Sequence, residues 1–180
     1  DSVGRDLYVR TMRGTSVSLM VALLSTMISL AIGVLWGTLS GYLGGRVDDV
    51  MMRVVDILYS LPFILVVVLL SVVFGPNLYL LFAALGAIYW LDMARIVRGQ
   101  TLRLKAAPFI SAAKIQGATT LNIIAVHILP NIRSPIIIYG TITIPAIILA
   151  ESFISFIGLG VQEPQTSLGV LISDGIPTME

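Results

Sequence analysis

The stretch VSLMVALLSTMISLAIGVLWGTLSGYL, from Val17 to Leu43, runs for 27 residues without a charge. As a helix rising ~1.5 Å per residue it is long enough to cross a hydrocarbon core of roughly 30 Å with some tilt. It is apolar on every face rather than alternating, which argues against a β-barrel strand. The rest of the chain agrees with it. Of 180 residues, 57% are hydrophobic and only 12% charged. A soluble domain carries about 25% charged residues, so half the usual charge cannot coat a water-facing surface.

Further apolar runs extend from about Val54 to Phe74, with Asp56 near the start and Pro62 inside, and from about Leu78 to Leu91, prolonged by Asp92-Met93-Ala94. A last run, from about Pro135 to Leu159, contains Pro145 and Glu151. The expectation is an all-α, polytopic bundle of about four spans. Residues 17–160 form the membrane domain, 1–16 an amphipathic segment on the outer side, and 161–180 an outer loop rich in turn formers. The opening DSVGRDLYVRTMRG has neither an initiator Met nor an apolar leader core, and reads as internal to a longer protein.

Orientation follows from Lys and Arg. Arg46 and Arg53 flank the first connection, and Arg95, Arg98, Arg103, Lys105, Lys114 and Arg133 lie in or beside the third. These eight lie on one side, against Arg5, Arg10 and Arg13 on the other. The excess puts the long segment, including 99–130, in the cytoplasm. Leu7, Tyr8, Thr11 and Met12 give Asp6 to Arg13 one apolar face, as expected of a helix on the outer membrane interface.

Within the cytoplasmic segment, Pro108 opens a short helix, Phe109 to Gln116, that Gly117 ends. Thr119 or Thr120 caps a second helix that Pro130 is expected to stop. Leu121, Ile124, Ala125 and Ile128 fall on one apolar face. This helix–turn–helix suits either docking of a cytoplasmic protein or attachment to lipid headgroups.

In the first span Ser25, Ser29, Gly33, Gly37 and Gly41 recur every four residues. Such a stripe lets two backbones approach closely, against a partner subunit or within the chain. Glu151 is costly inside a membrane. It either faces a translocation path or sister subunit, or is satisfied inside the bundle by hydroxyls or backbone N–H groups. Asp56 with Arg53, and Asp92 with Arg95, have the spacing of local helix pairs. Pro62 and Pro145 are expected to kink helices. With no Cys and a single His, His127, no thiol chemistry or multi-histidine metal site is available. There is no G-x-x-x-x-G-K-[ST], so no Walker loop holds ATP. Glu151 and Asp56 would also suit an ion-coupled secondary transporter, although no internal repeat supports one. A membrane enzyme is poorly supported.

Ser111-Ala112-Ala113-Lys114-Ile115-Gln116-Gly117, followed by His127-Ile128-Leu129-Pro130, resembles the "EAA" loop of inner-membrane permeases of ATP-binding-cassette importers. Ser111 stands where that family usually has Glu. Gly4-Arg5-Asp6, Gly41-Tyr42-Leu43-Gly44-Gly45 with Asp48, Asp56, Pro62, and the run from Ile148 to Gln162 are similar to the dipeptide, oligopeptide and nickel subfamily. The resemblance covers nearly the whole chain. It implies a permease fold with a coupling helix pair, placing Ser111, Ala112, Ala113, Lys114, Gly117, Leu121, Ile124, Leu129 and Pro130 at the ATPase contact. Glu151, Pro145, Gly33, Gly37 and Gly41 would line the path or pack subunits. It further implies a second permease, two cytoplasmic ATPase subunits carrying ATP and Mg, an extracytoplasmic solute-binding protein and a bilayer, the bacterial inner membrane. It implies no cofactor, metal or nucleic acid on this chain, and no bond chemistry.

Overall fold

The computed structural model describes residues 6–75, 77–161 and 165–176. Among them there are helices and no strands: α1 (Leu7–Leu43), α2 (Gly45–Tyr59), α3 (Phe63–Phe74), α4 (Leu78–Lys105), α5 (Pro108–Ile115), α6 (Thr120–Phe156) and α7 (Leu168–Gly175). Helices α1, α4 and α6 are each long and apolar enough to cross a membrane, and the bent pair α2–α3 passes the same test only when its two helices are taken together, as a broken span or a re-entrant pair. The protein is a multi-pass membrane protein. Gly4, Arg5, Pro76 and Gln162, which figure in the sequence motifs and connections, lie outside the described residues.

The helices differ from the sequence expectation at five places, each with a local cause. The amphipathic segment and the first span are one helix of 37 residues. The Asp6 carboxylate caps its start, accepting from the backbone N–H of Tyr8 at 2.8 Å and Val9 at 3.3 Å. The second span is not a kinked helix but two helices. Pro62 sits at the N-cap of α3 with extended backbone, ψ 116°, so α2 ends at Tyr59. The third span does not end near Ala94. It continues to Lys105, because Arg95 and Arg98 find carboxylates on α2 and need not leave the helix.

Pro130 does not stop the helix that Thr119 starts. Residues Ile123–Ile128 form a π-helical segment, and the Leu129 N–H reaches back five residues to the Ile124 carbonyl. The widened turn precedes a proline that has no N–H to give and whose ring would crowd a tight turn, so the chain runs on as helix to Phe156. Finally, the expected outer loop contains α7, whose N-cap Ser167 accepts from the Val170 N–H at 3.4 Å.

The chain divides into two compact units, Asp1–Met27 with Leu61–Ala87 and Ile142–Glu180, and Ile28–Ser60 with Ile88–Thr141. In the second unit the stripe on α1 packs against α4. A Cβ on Gly33 would lie 2.6 Å from the Met93 side chain, and one on Gly41 2.8 Å from the Arg98 carbonyl oxygen. One on Gly37 would overlap the Ala94 carbonyl oxygen. In lipid, close packing of this kind holds helices together where the hydrophobic effect does not act between them. In the first unit Ser25, one step along the same stripe, donates to the Phe82 carbonyl of α4 at 3.0 Å. The stripe therefore packs within this chain, one of the two readings the sequence left open for it.

Candidate functional site

The second unit carries all eight basic residues of the two connections expected in the cytoplasm, and it contains the α5 turn. Pro108 occupies the first turn of α5, where its missing N–H costs nothing. The helix closes with two back-bonds, Gly117 N–H to the Lys114 carbonyl and Ala118 N–H to the Ala113 carbonyl, both 3.0 Å. This closure needs a left-handed residue, and Gly117 supplies it at φ 81°. Thr119 then caps α6, its hydroxyl accepting from the Asn122 N–H at 3.3 Å.

One face of α5 is buried. Ile110 and Ala113 pack with Ile123, Ile128 and Ile132 of α6 and Met93 and Val97 of α4. The buried face of α6 differs from the expected one. Ile124 and Ile128 are inside, but Leu121 is 76% exposed and Ala125 is exposed too, while Ile123 and Ile132 are buried. The π-helical segment is the reason: Ile123 and Ile128, five apart, come onto one face only where the turn is wide.

The other face of the turn is open. Ser111, Ala112, Gln116 and Gly117 are exposed, and so are Phe109 and Leu121; Ile115 is 88% exposed. Leu129 is half-buried against the core and Pro130 is exposed. Lys114 is exposed as well. Its ammonium and that of Lys105 each lie 5.7 Å from the ring centre of Tyr42 in α1, at cation–π range. The α5 turn is thus tied to the ends of α1 and α4. The His127 ring lies 6.5 Å from that of Phe109, and its carbonyl accepts from the Asn131 side chain at 2.6 Å.

The support behind this turn includes residues that sequence reasoning passed over as binding partners. Arg98 of α4 grips Asp48 in the first turn of α2 with two hydrogen bonds, 2.5 Å and 2.6 Å, and the Ser40 hydroxyl of α1 donates to the same carboxylate. Arg95, three residues earlier, pairs with Asp56 at 2.9 Å and stacks on the Tyr59 ring at 4.3 Å. Asp56 therefore takes its partner from α4, not Arg53 on its own helix. Helix α2 is clasped to α4 near both of its ends, and the Trp36 indole adds a bond to the Met51 carbonyl at 3.2 Å. The signal available in the sequence was the recurrence of Asp at 48 and 56 and Arg at 95 and 98, but nothing local paired them.

In the first unit Glu151 is fully buried. Its carboxylate accepts from the Ser18 hydroxyl at 2.7 Å and the Ser155 hydroxyl at 2.6 Å. Of the two roles open to it, this geometry supports the internal one. Pro145 lies on the exposed side of α6. Among the described residues no group of His, Asp and Glu is arranged to hold a metal ion.

The family model described as binding-protein-dependent transport system inner membrane component matches residues 33–179. The chain is 56% identical over its full 180 residues to the oligopeptide transport system permease protein OppC of Escherichia coli strain K12, covering 60% of that protein. It is 54% identical over 180 residues to OppC of Salmonella typhimurium, again covering 60% of it. With the dipeptide transport system permease protein DppC of Bacillus subtilis strain 168 it shares 48% identity over 179 residues, 99% of this chain and 56% of that one. The chain thus spans about three-fifths of the length of the curated relatives it matches.

Proposed function

The chain belongs to the binding-protein-dependent transport system inner membrane component family, and from that premise we propose that it is membrane-embedded permease of an ATP-driven importer. It forms part of the path for peptides or similar small solutes, in the bacterial inner membrane, and performs no bond chemistry itself. Its relatives are named for oligopeptide and dipeptide transport, which favours peptides as the solute. A second permease completes the path. Two cytoplasmic ATPases, with their ATP and Mg, drive it, and an extracytoplasmic binding protein delivers the solute.

The observation that carries this reading is the α5–Gly117–α6 turn. It exposes Phe109, Ile115 and Leu121 on one side while Ile110 and Ala113 key into the core on the other. A monomer gains nothing by holding Ile115 in water. A cytoplasmic ATPase that buried it would push on a helix already packed against α4 and α6. With α2 clasped to α4 by two ion pairs, a displacement of α5 is passed to the helix ends as one movement. Nucleotide then shifts the inward-open and outward-open populations only through its different affinity for the two states.

The ion-coupled alternative has no comparable support. Glu151 is sealed from solvent with both oxygens engaged, and Asp56 is paired with Arg95. The test is import into proteoliposomes holding the complete complex, with ATP on the ATPase side and no ion gradient. Uptake under those conditions is expected. Uptake that needs a gradient and ignores ATP would return the ion-coupled reading.

A further inference from the structure

Outside the α5 turn, a connected set of buried hydrogen bonds surrounds Glu151, and it reaches beyond the carboxylate. Ser18 gives its one proton to Glu151, and its oxygen then accepts the Leu168 N–H at 3.2 Å. Ser155 gives its proton to the other carboxylate oxygen, and its oxygen accepts the Val161 N–H at 3.3 Å. Two relays of the same form therefore leave one carboxylate and end on backbone either side of the chain segment that leads into α7. Helix α7 is seated by contacts of the same unit. Gly169 lies so close to the Ser152 carbonyl that any Cβ would overlap it, a Cβ on Gly14 would lie 2.9 Å from Leu171, and Arg10 of α1 holds Asp174 at 2.7 Å.

We propose that Glu151 is a positioning residue for α7: through Ser18 and Ser155 it fixes the backbone on both flanks of the approach to that helix, and so sets the surface that α7 presents on the side where solute is delivered. The chemistry explains why a carboxylate stands here despite its cost in a membrane. A serine has one proton and two lone pairs. Both serines accept from backbone and both donate to Glu151, each to a different oxygen, and a carboxylate offers an acceptor at both positions. A glutamine keeps an acceptor oxygen at one of these two positions and puts an NH2 donor at the other, so one relay keeps its geometry and the hydroxyl of the other faces a donor. Helix α7 is itself apolar, with Ile172 exposed, and its ion pair to Arg10 lies at its far end, away from the two relays.

This inference rests on the importer reading for the purpose of the surface, but not for the coupling between Glu151 and α7, and the experiment separates the two. In the full-length protein assembled with its partner subunits in nanodiscs, on a background without other cysteines, spin labels are placed at Met12 and Ile172. The distance distribution is expected to be narrow. Glu151→Ala broadens it. Glu151→Gln broadens it less. Ser18→Ala and Ser155→Ala each give a partial effect, and Glu151→Ala combined with Ser18→Ala is no broader than Glu151→Ala alone, because the relay is already lost. The two serine variants remove a single hydroxyl and keep the test informative if Glu151→Ala fails to assemble. In the transport assay the concentration of loaded binding protein giving half-maximal uptake rises about five- to tenfold in Glu151→Gln, the worth of one ordinary hydrogen bond. Its ATPase subunits stay bound, which loss of fold would not permit. An unchanged, narrow distribution in Glu151→Ala, or effects of Ser18→Ala and Glu151→Ala that simply add, overturns the proposal. If the unsubstituted complex shows no dependence on a binding protein, the importer reading fails while the distances still decide whether Glu151 positions α7.

Discussion

Substituting the two partners of the Asp48–Arg98 pair should have unequal effects, and the inequality follows from burial. The Asp48 side chain is 9% exposed and the Arg98 side chain 34%. Removing one partner of a buried ion pair costs roughly 3–5 kcal/mol, because the survivor is left charged and unpaired. In Arg98→Leu the survivor is Asp48, nearly sealed, with the Ser40 hydroxyl and the more distant charge of Lys105 left to it. The cost should sit at the low end of that range, about 3 kcal/mol. In Asp48→Asn the survivor is Arg98. It already reaches water over a third of its side chain, keeps one bond to the Asn oxygen, and is screened, so the loss should be nearer 1 kcal/mol. Breaking the pair from the arginine side is therefore expected to be worse by about 2 kcal/mol. The double variant should be no less stable than Arg98→Leu alone, since no unpaired carboxylate remains. The assay is equilibrium unfolding of the purified complex in detergent, read by proteolysis at α2, with the four proteins of the cycle side by side. Equal losses, a larger loss for Asp48→Asn, or single effects that add in the double variant would falsify the account of α2 as clasped to α4 by a desolvated pair.

Three further outcomes are expected. Cysteines placed singly at Gln116 and Gln165 should react oppositely with an impermeant thiol reagent on intact cells, Gln165→Cys labelling from outside and Gln116→Cys only after permeabilisation; the reverse pattern inverts the topology. Gly117→Val puts a β-branched residue at a left-handed φ, costing at least ~1–2 kcal/mol locally, and should lower transport and ATPase association while the bundle still inserts. Unaltered substrate-stimulated ATPase activity would remove this turn from the mechanism. Gly37→Leu drives a side chain into the α4 backbone at Ala94 and should reduce the yield of folded protein severalfold, whereas Leu35→Ala on the exposed side of the same helix should not; similar yields for both would mean that the stripe does not hold α1 to α4.

The sequence by itself determined whatever rests on a residue's own neighbours. Uninterrupted apolar runs give helices that enter a membrane, because unpaired backbone is intolerable in lipid. Pro108, Gly117 and Thr119 set the start, the turn and the next cap of the α5 region, each through the geometry of a single residue. Which charge meets which, and which face is inside, lay beyond it. Asp56 had Arg53 one helical turn away and took Arg95 instead, 39 residues on, because α4 lies alongside α2. Glu151 drew one partner from its own helix and the other, Ser18, from 133 residues away. The apolar face of α6 shifted because a π-helical segment, which no helical periodicity anticipates, carried the helix through Pro130. Helix and turn propensities act over a few residues, whereas the partner of a buried charge is chosen by desolvation among helices that only packing makes neighbours.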